Sequence, residues 1–305
     1  MEIKIDREHD GMILRSYLCR VLGLSTKMIK HIKFMPNGIT VNGSTCTVRY
    51  LLHEGDNLSL ALEDTESAPI AAVDLPIEIL FEDRDLVVPA KPADMPTHPS
   101  CDHYDDTVAN ALAYRYAESG SHFVFRPINR LDRNTSGLLL IARNRPTAAI
   151  LTKSMQGGEI RKTYLAVLDG ELTVQEGRID ACLHRTAESI ILREVCDPSA
   201  PDAAPSLTEY RVLAAANGHT LVEAHPITGR THQLRVHFAS IGHPITGDDL
   251  YGTPSDVINR HALHARTLSF PHPKMRQSMT LTAPLPADMR HLIEICFPNL
   301  IETLA

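Results

Sequence analysis

The chain lacks the features that would take it out of the ordinary class of soluble globular proteins. It has no tryptophan, and aromatic residues make up 5% of its 305 positions, so no large aromatic anchor advertises an interface. No apolar run approaches the roughly 18 residues needed to cross a bilayer. The stretch from Met1 to Asp10 is charged rather than a secretory leader, and together these point to the cytoplasm. Six cysteines (Cys19, Cys46, Cys101, Cys182, Cys196 and Cys296) stand without a CxxC pair or a regular spacing. That argues against a disulfide framework or a zinc knuckle and for reduced thiols. GxxxxGK and GxGxxG runs are missing too, so no nucleotide or dinucleotide cofactor is expected. The net charge of -7 counts mildly against a nucleic-acid partner, because such binders usually carry a basic footprint.

That footprint is present locally. Between Arg15 and Arg49 stand Arg15, Arg20, Lys27, Lys30, Lys33 and Arg49 with no acidic residue among them. Ile13, Leu14, Tyr17, Leu18, Val21 and Leu22 recur at helical spacing, with Gly23 able to end the helix. Ser25 can cap a second helix whose Met28, Ile29 and Ile32 face inward while Lys27, Lys30 and Lys33 face elsewhere. Ile39 to Val41, the Asn42-Gly43 turn and the alternating Leu58, Leu60 and Leu62 read as a small β element. A solvated lysine face on a structural helix pair would leave the same pattern. Residues 63–75, acidic and small without periodicity, read as a linker. A second domain is then expected over 76–305: strands at Ile77 to Phe81 and Leu86 to Val88, a helix from Thr107 to Tyr116, a β-rich second half with a proline loop (Pro198, Pro201, Pro205), and a closing helix from Asp288 to Cys296. The class is α+β, with a mixed, largely antiparallel sheet.

The stretch that carries chemistry is RPINRLDRNTSGLLLIAR, residues 126–143. Asp132 is flanked by Arg126, Arg130 and Arg133, which favour an ionised carboxylate, and the apolar run Leu138 to Ala142 follows as an anchor. Such a carboxylate can act as a nucleophile or stabilise an oxocarbenium-like sugar cation. On local charge alone it could equally pair with an arginine to fix a turn. Four histidines (His225, His232, His237 and His243) invite a metal reading. They lack HExxH-type spacing and have no acidic residue between Glu223 and Asp248, so no metal is expected.

The segment RLDRNTSGLLLIA resembles the signature of the RluA-type pseudouridine synthases. It is joined, in the order of that family, by RKTYLAVLDG (161–170), PITGRTHQLRVHFASIGHPITGDDLYG (226–252) and HALHARTLSFPHP (261–273). The resemblance covers nearly all of residues 76–275. It implies that Asp132 is the catalytic carboxylate, that Tyr164 stacks on the target base, and that Arg235 pairs with the aspartate. Without it, Tyr164 would read as a half-buried packing residue on a strand and Arg235 as a surface arginine on a helix from about Thr231 to Ile241, with Leu234, Phe238 and Ile241 inward. Arg130, Lys162, Arg230, His232 and Gln233 fall around the site as supporting or RNA-phosphate contacts. Helix, helix, basic face and hairpin over 1–62 resemble the small RNA-binding module named after ribosomal protein S-four. The sequence departs from the family at Asn129, where histidine is commonest, and at Ala90 and Asp94, where asparagine and glycine are usual.

The reaction so implied cuts the bond from sugar carbon one to the base, turns the uracil, and rejoins it through ring carbon five, without cofactor or metal. Asp132 could attack the sugar, add to the base or drive elimination to a glycal. The implied partner is RNA, large-subunit ribosomal RNA ahead of transfer RNA. Two readings of other classes compete: a non-catalytic RNA-binding or ribosome-assembly factor on the same fold, and a nucleoside hydrolase, which would need neither the basic module nor phosphate-binding arginines.

Overall fold

A computed structural model describes residues 2–22, 24, 26–61, 70–118, 123–275, 277–298 and 300. Gly23, Ser25, Leu62 and residues 63–69 of the expected linker lie outside the described residues, as do the side chains of Lys27 and Met28. Residues 2–61 form a four-stranded sheet of order β1-β4-β2-β3 (β1 Glu2–Lys4, β2 Ile39–Val41, β3 Ser44–Thr45, β4 Asn57–Leu60). Its apolar core gathers Leu14, Leu18, Ile29, Ile32, Leu58 and Leu60. Asn42 and Gly43 both take left-handed φ, 53° and 78°, which suits the two-residue turn between β2 and β3. The apolar stripe at 13–22 folds as a short helix α1 (Leu14–Ser16) running into one π-wound stretch, Tyr17–Val21. Ile13, counted in that stripe, is exposed and bridges to Leu51. Helix α2 (Thr26–Lys33) follows. Arg15, Arg20, Lys30 and Lys33 are all exposed, and the Lys33 ammonium sits 5.4 Å from the Phe34 ring centre.

Among the described residues the second sheet has eleven strands: β5 (Glu78–Glu82), β6 (Leu86–Lys91), β7 (Arg126–Pro127), β8 (Ser136–Leu138), β9 (Ile141–Ala142), β10 (Arg161–Asp169), β11 (Glu176–Asp180), β14 (Leu207–Ala216), β15 (His219–Pro226), β16 (Leu263–Pro271) and β17 (Ser278–Thr282). Its path runs β11-β14-β15-β10-β16-β8-β6-β9-β7, with β17 on β16 and β5 on β6. All its pairs are antiparallel except β16 with β8. The central strand β10 shows why it lies there: Tyr164 to Leu168 form an unbroken buried run, as a strand covered on both faces requires. A separate hairpin pairs β12 (Cys182–Arg185) with β13 (Arg193–Cys196).

Among the described residues, four helices flank this sheet: α3 (Val108–Glu118), α4 (Arg145–Gln156), α5 (Gln233–Ser240) and α6 (Ala287–Cys296). Asn144 caps α4 by accepting the Thr147 N–H at 2.9 Å. Helix α5 is shorter than the periodicity suggests. Leu234 and Phe238 are buried as expected, but Ile241 lies past its end and is 38% exposed. Asn110 on α3 donates to the Ala71 carbonyl, and Leu75 packs on the core of the large sheet, so residues 71–75 of the expected linker lie against that core. No helix among the described residues is long and apolar enough to cross a membrane.

Candidate active site

Asp132 sits on the loop between β7 and β8, and that loop is pinned from several sides. Asn129, buried, donates to the Leu138 carbonyl (3.2 Å) and accepts the Leu140 N–H (2.7 Å). The amide thus closes the loop at its base, and the position departs from the family's histidine without losing a hydrogen-bonding role. Thr97 Oγ1 donates to the Leu131 carbonyl and accepts the Leu131 N–H. Thr135 donates its N–H to the Asp132 carbonyl, and its hydroxyl meets His261 Nε2 at 2.8 Å. Burial pushes the His261 pKa down to about 3, so this pin is neutral. Beyond it, Gly137 has φ 116°, and a Cβ there would stand 2.2 Å from the Ala265 carbonyl oxygen. Only glycine lets β8 approach β16 this closely.

Lys91, 1% exposed at the end of β6, donates to the carbonyls of Pro92, Met95 and Arg133 at 2.9, 2.7 and 2.7 Å. Burial draws its pKa down to about 7, and the nearby charge of Asp132 opposes the shift. It ties two loops together directly behind the candidate carboxylate. Lys91→Met is expected to leave these carbonyls without a donor, lowering stability by about 1–3 kcal/mol, readable as a reduced urea midpoint.

Arg235 comes from the first turns of α5 and is deeply buried, at 4% exposure. Its Nη1 faces Asp132 Oδ2 at 3.9 Å, a loose ion pair. Its tight partner is Asp248, which is fully buried and accepts from Nε at 2.7 Å and Nη2 at 2.6 Å. The expected pairing with Asp132 is therefore the secondary one. Nη2 also reaches Asp249 at 3.3 Å, and the guanidinium lies 5.2 Å from the Tyr251 ring centre. Asp248 and Tyr251 orient the fork so that Nη1 is left for Asp132.

Tyr164, 6% exposed on β10, lines the same cavity as Asp132 and Arg235, a cleft of about 900 Å³. That is at the upper end of the roughly 300–1,000 Å³ usual for ligand sites. Burial, reinforced by Asp132, raises the Tyr164 pKa and keeps its hydroxyl protonated. Lys162 also lines the cleft; burial lowers its pKa, and its side chain has no ion pair or hydrogen bond among the described residues. Arg130 lines it exposed and likewise unpaired among them. Arg133 is held instead by Asp94, whose carboxylate accepts from its Nε at 2.7 Å and whose φ is 60° in the glycine-favouring region.

The structure thus brings Asp132, Tyr164, Arg235, Arg130, Lys162, Arg230, His232 and Gln233 to one cavity. Gln233 is largely committed within the protein, and Arg230 is tethered at one nitrogen. The Gln233 amide accepts from Thr228 Oγ1 and the Arg230 N–H and donates to Leu207 O and Thr208 Oγ1, so it shapes the 228–230 turn. Arg230 Nε donates to the Pro205 carbonyl. Arg15, Arg20, Lys30 and Lys33 lie on the helical segments of residues 2–61 and do not line this cavity. Reading the sequence missed Lys91, Asp248, Tyr251 and His261. The last three lie inside the long motifs at 226–252 and 261–273, and Lys91 opens the KPA run, so each stood in a matched segment without a local feature to single it out.

Residues 85–240 match the family described as RNA pseudouridylate synthase. The chain is 38% identical over 274 residues to YjbO of Bacillus subtilis (strain 168), an uncharacterized RNA pseudouridine synthase, spanning 90% of this chain and 95% of that one. It is 33% identical over 272 residues to the ribosomal large subunit pseudouridine synthase D of Escherichia coli (strain K12), spanning 84% and 82%. Among solved structures, human RNA pseudouridylate synthase domain containing 1 matches with a TM-score of 0.58 and 29% identity, over 73% of this chain and 87% of that one.

Proposed function

Because the chain belongs to the RNA pseudouridylate synthase family, we propose that it isomerises particular uridines of large-subunit ribosomal RNA in the cytoplasm, with Asp132 as the catalytic carboxylate. The observation that carries the assignment of Asp132 is geometric. It is the one carboxylate lining the cleft among the described residues, on a pinned loop, with the Arg235 guanidinium 3.9 Å away and Tyr164 in the same cavity. A hydrolytic glycosidase ordinarily needs a second carboxylate across the scissile bond. The target uridine is flipped out of its stack, at a cost of roughly a few kcal/mol. Tyr164 holds the detached base against a dry wall, where admitted water would leave an abasic site. Large-subunit RNA is supported by the name of the Escherichia coli relative.

The test is a ribosomal RNA pseudouridine map in cells carrying the wild-type chain, an Asp132→Ala chain or none. Pseudouridines that vanish equally in the last two name the substrate. Matching wild-type and Asp132→Ala maps, with ribosome assembly disturbed only in the deletion, would replace this reading by that of an RNA-binding assembly factor.

Residues 1–62 act in this proposal as the S-four-like RNA-binding module, through the exposed Arg15, Arg20, Lys30 and Lys33 together with Lys27. The Lys30→Glu, Lys33→Glu double variant is expected to weaken RNA binding across sequences. Its plot of log K against log salt should flatten by about 0.7–0.9 for each phosphate no longer neutralised, as a filter-binding titration would measure.

A further inference from the structure

His232 lines the cleft with Asp132, one residue before α5, and its backbone is left-handed, with φ 57° and ψ 17°. A residue with a Cβ adopts that conformation at a cost, and where it does so beside a cavity the strain points to a positioned side chain. The ring is held by Tyr251. His232 Nδ1 lies 2.8 Å from the Tyr251 phenol oxygen, and that same oxygen accepts the backbone N–H of Arg193 at 2.9 Å. The Arg193 N–H takes one lone pair of the phenol oxygen, and the phenol's own proton then has a single acceptor among the described atoms, Nδ1 of His232. With the phenol donating to Nδ1, a neutral ring carries its proton on Nε2. Burial lowers the His232 pKa, opposed by Asp132 and Asp248 and helped by Arg235 and Arg193, and the net shift favours the neutral ring.

We propose that His232 is a catalytic hydrogen-bond donor whose Nε2–H, set in that tautomer by Tyr251, binds a carbonyl oxygen of the flipped uracil and stabilises the charge on the base as it leaves the sugar. The inference rests on the pseudouridine synthase reading of the site. Heterolysis of the bond between sugar carbon one and base N1 sends the electron pair to the ring, giving a uracil anion whose charge is shared by N1 and the carbonyl oxygens. A neutral donor binds that oxygen more strongly as the charge grows, which is the condition for lowering the barrier. It transfers no proton. An imidazolium could protonate the detached base and remove the charge with which ring carbon five must rejoin the sugar. On rejoining, carbon five loses its proton and N1 gains one, so the composition of the RNA is unchanged. Tyr251 is the positioning residue: its ring also faces the Arg235 guanidinium, so Tyr251→Phe keeps that contact and removes only the hydroxyl.

The experiment compares wild type, Tyr251→Phe, His232→Gln and His232→Asn on an unmodified large-subunit ribosomal RNA transcript, with nitrogen NMR of the His232 ring in the RNA-free protein. The expected wild-type spectrum is that of the Nε2–H tautomer, giving way to a mixture in Tyr251→Phe. The single-turnover rate should fall on the order of 10-fold in Tyr251→Phe, with the RNA dissociation constant unchanged. His232→Asn should lose on the order of 10²–10³-fold. His232→Gln, whose amide nitrogen reaches the place of Nε2, should keep more activity than His232→Asn. Asparagine suits a left-handed backbone better than glutamine does, so a purely structural role gives the opposite order. An Nδ1–H tautomer in the wild type, or His232→Asn matching or exceeding His232→Gln, overturns the proposal. The spectrum needs no RNA, so it decides the tautomer even if the transcript proves a poor substrate, an outcome that would count against the choice of RNA instead.

Discussion

Asp132→Asn should cut the single-turnover rate of pseudouridine formation on the order of 10⁴-fold or more, with little change in RNA affinity or thermal stability. The substitution removes the charge and nucleophilicity of the one carboxylate lining the cleft among the described residues while keeping its size. Nothing around it is built on that carboxylate: its one ion pair among the described residues is the 3.9 Å contact with Arg235, which keeps its bidentate bonds to Asp248. The loop itself is held by Asn129, Thr97, Thr135 and Lys91. A chemical-labelling assay for pseudouridine on a ribosomal RNA transcript measures the rate, and a melting curve measures the fold. Residual activity within about 10-fold of wild type would move the chemistry to another residue.

Asp248→Asn has the largest expected effect on stability. The Asp248 carboxylate is wholly buried against the equally buried Arg235 and also accepts the N–H groups of Leu250 and Tyr251. Asparagine would turn an N–H against the guanidinium and leave the buried positive charge only the looser contacts with Asp249 at 3.3 Å and Asp132 at 3.9 Å. Breaking such a pair costs about 3–5 kcal/mol, to be read from the urea midpoint. Burial alone would raise the Asp248 pKa, but the hydrogen bonds and charge of Arg235 outweigh it and hold the carboxyl below its ordinary range. The sign follows: with a folded pKa below the unfolded value, the pair's stabilisation is complete above the unfolded pKa of about 3.9 and is lost as pH falls through the folded one. Wild type should therefore soften in acid below about pH 4, and Asp248→Asn should show a shallower dependence there. Activity should fall too, because Asp248 aims Arg235 Nη1 at Asp132.

Much of this architecture can be read from local pattern. The strand at Leu86, the Asn42-Gly43 turn and the helices expected at Thr107 to Tyr116 and Asp288 to Cys296, found at Val108–Glu118 and Ala287–Cys296, follow from pattern, turn chemistry and flanking residues, which act over a few positions. The stripe at 13–22 is less legible, because apolar spacing does not distinguish an α-turn from the π-wound stretch that follows it. Ile241 misled for a related reason: its spacing continues the inward face of α5, but the helix ends at Ser240.

Asp132 stands out in the sequence because a carboxylate among arginines, followed by an apolar strand, is a local arrangement that recurs as a unit in a family motif. The sequence by itself determined the class, the basic N-terminal segment and the motifs that bring Asp132, Tyr164 and Arg235 into view. Tertiary structure decided how those residues are held. Arg235 reads as a surface residue on its helix, yet it is buried because Asp248, 13 residues on, turns back to meet it. Lys91 lies 42 positions from the Arg133 carbonyl it grips, and His261 lies 126 from Thr135. Such pairs leave no periodicity in the chain, since side-chain partners across a sheet depend on strand order and register, which arise only when the whole core closes.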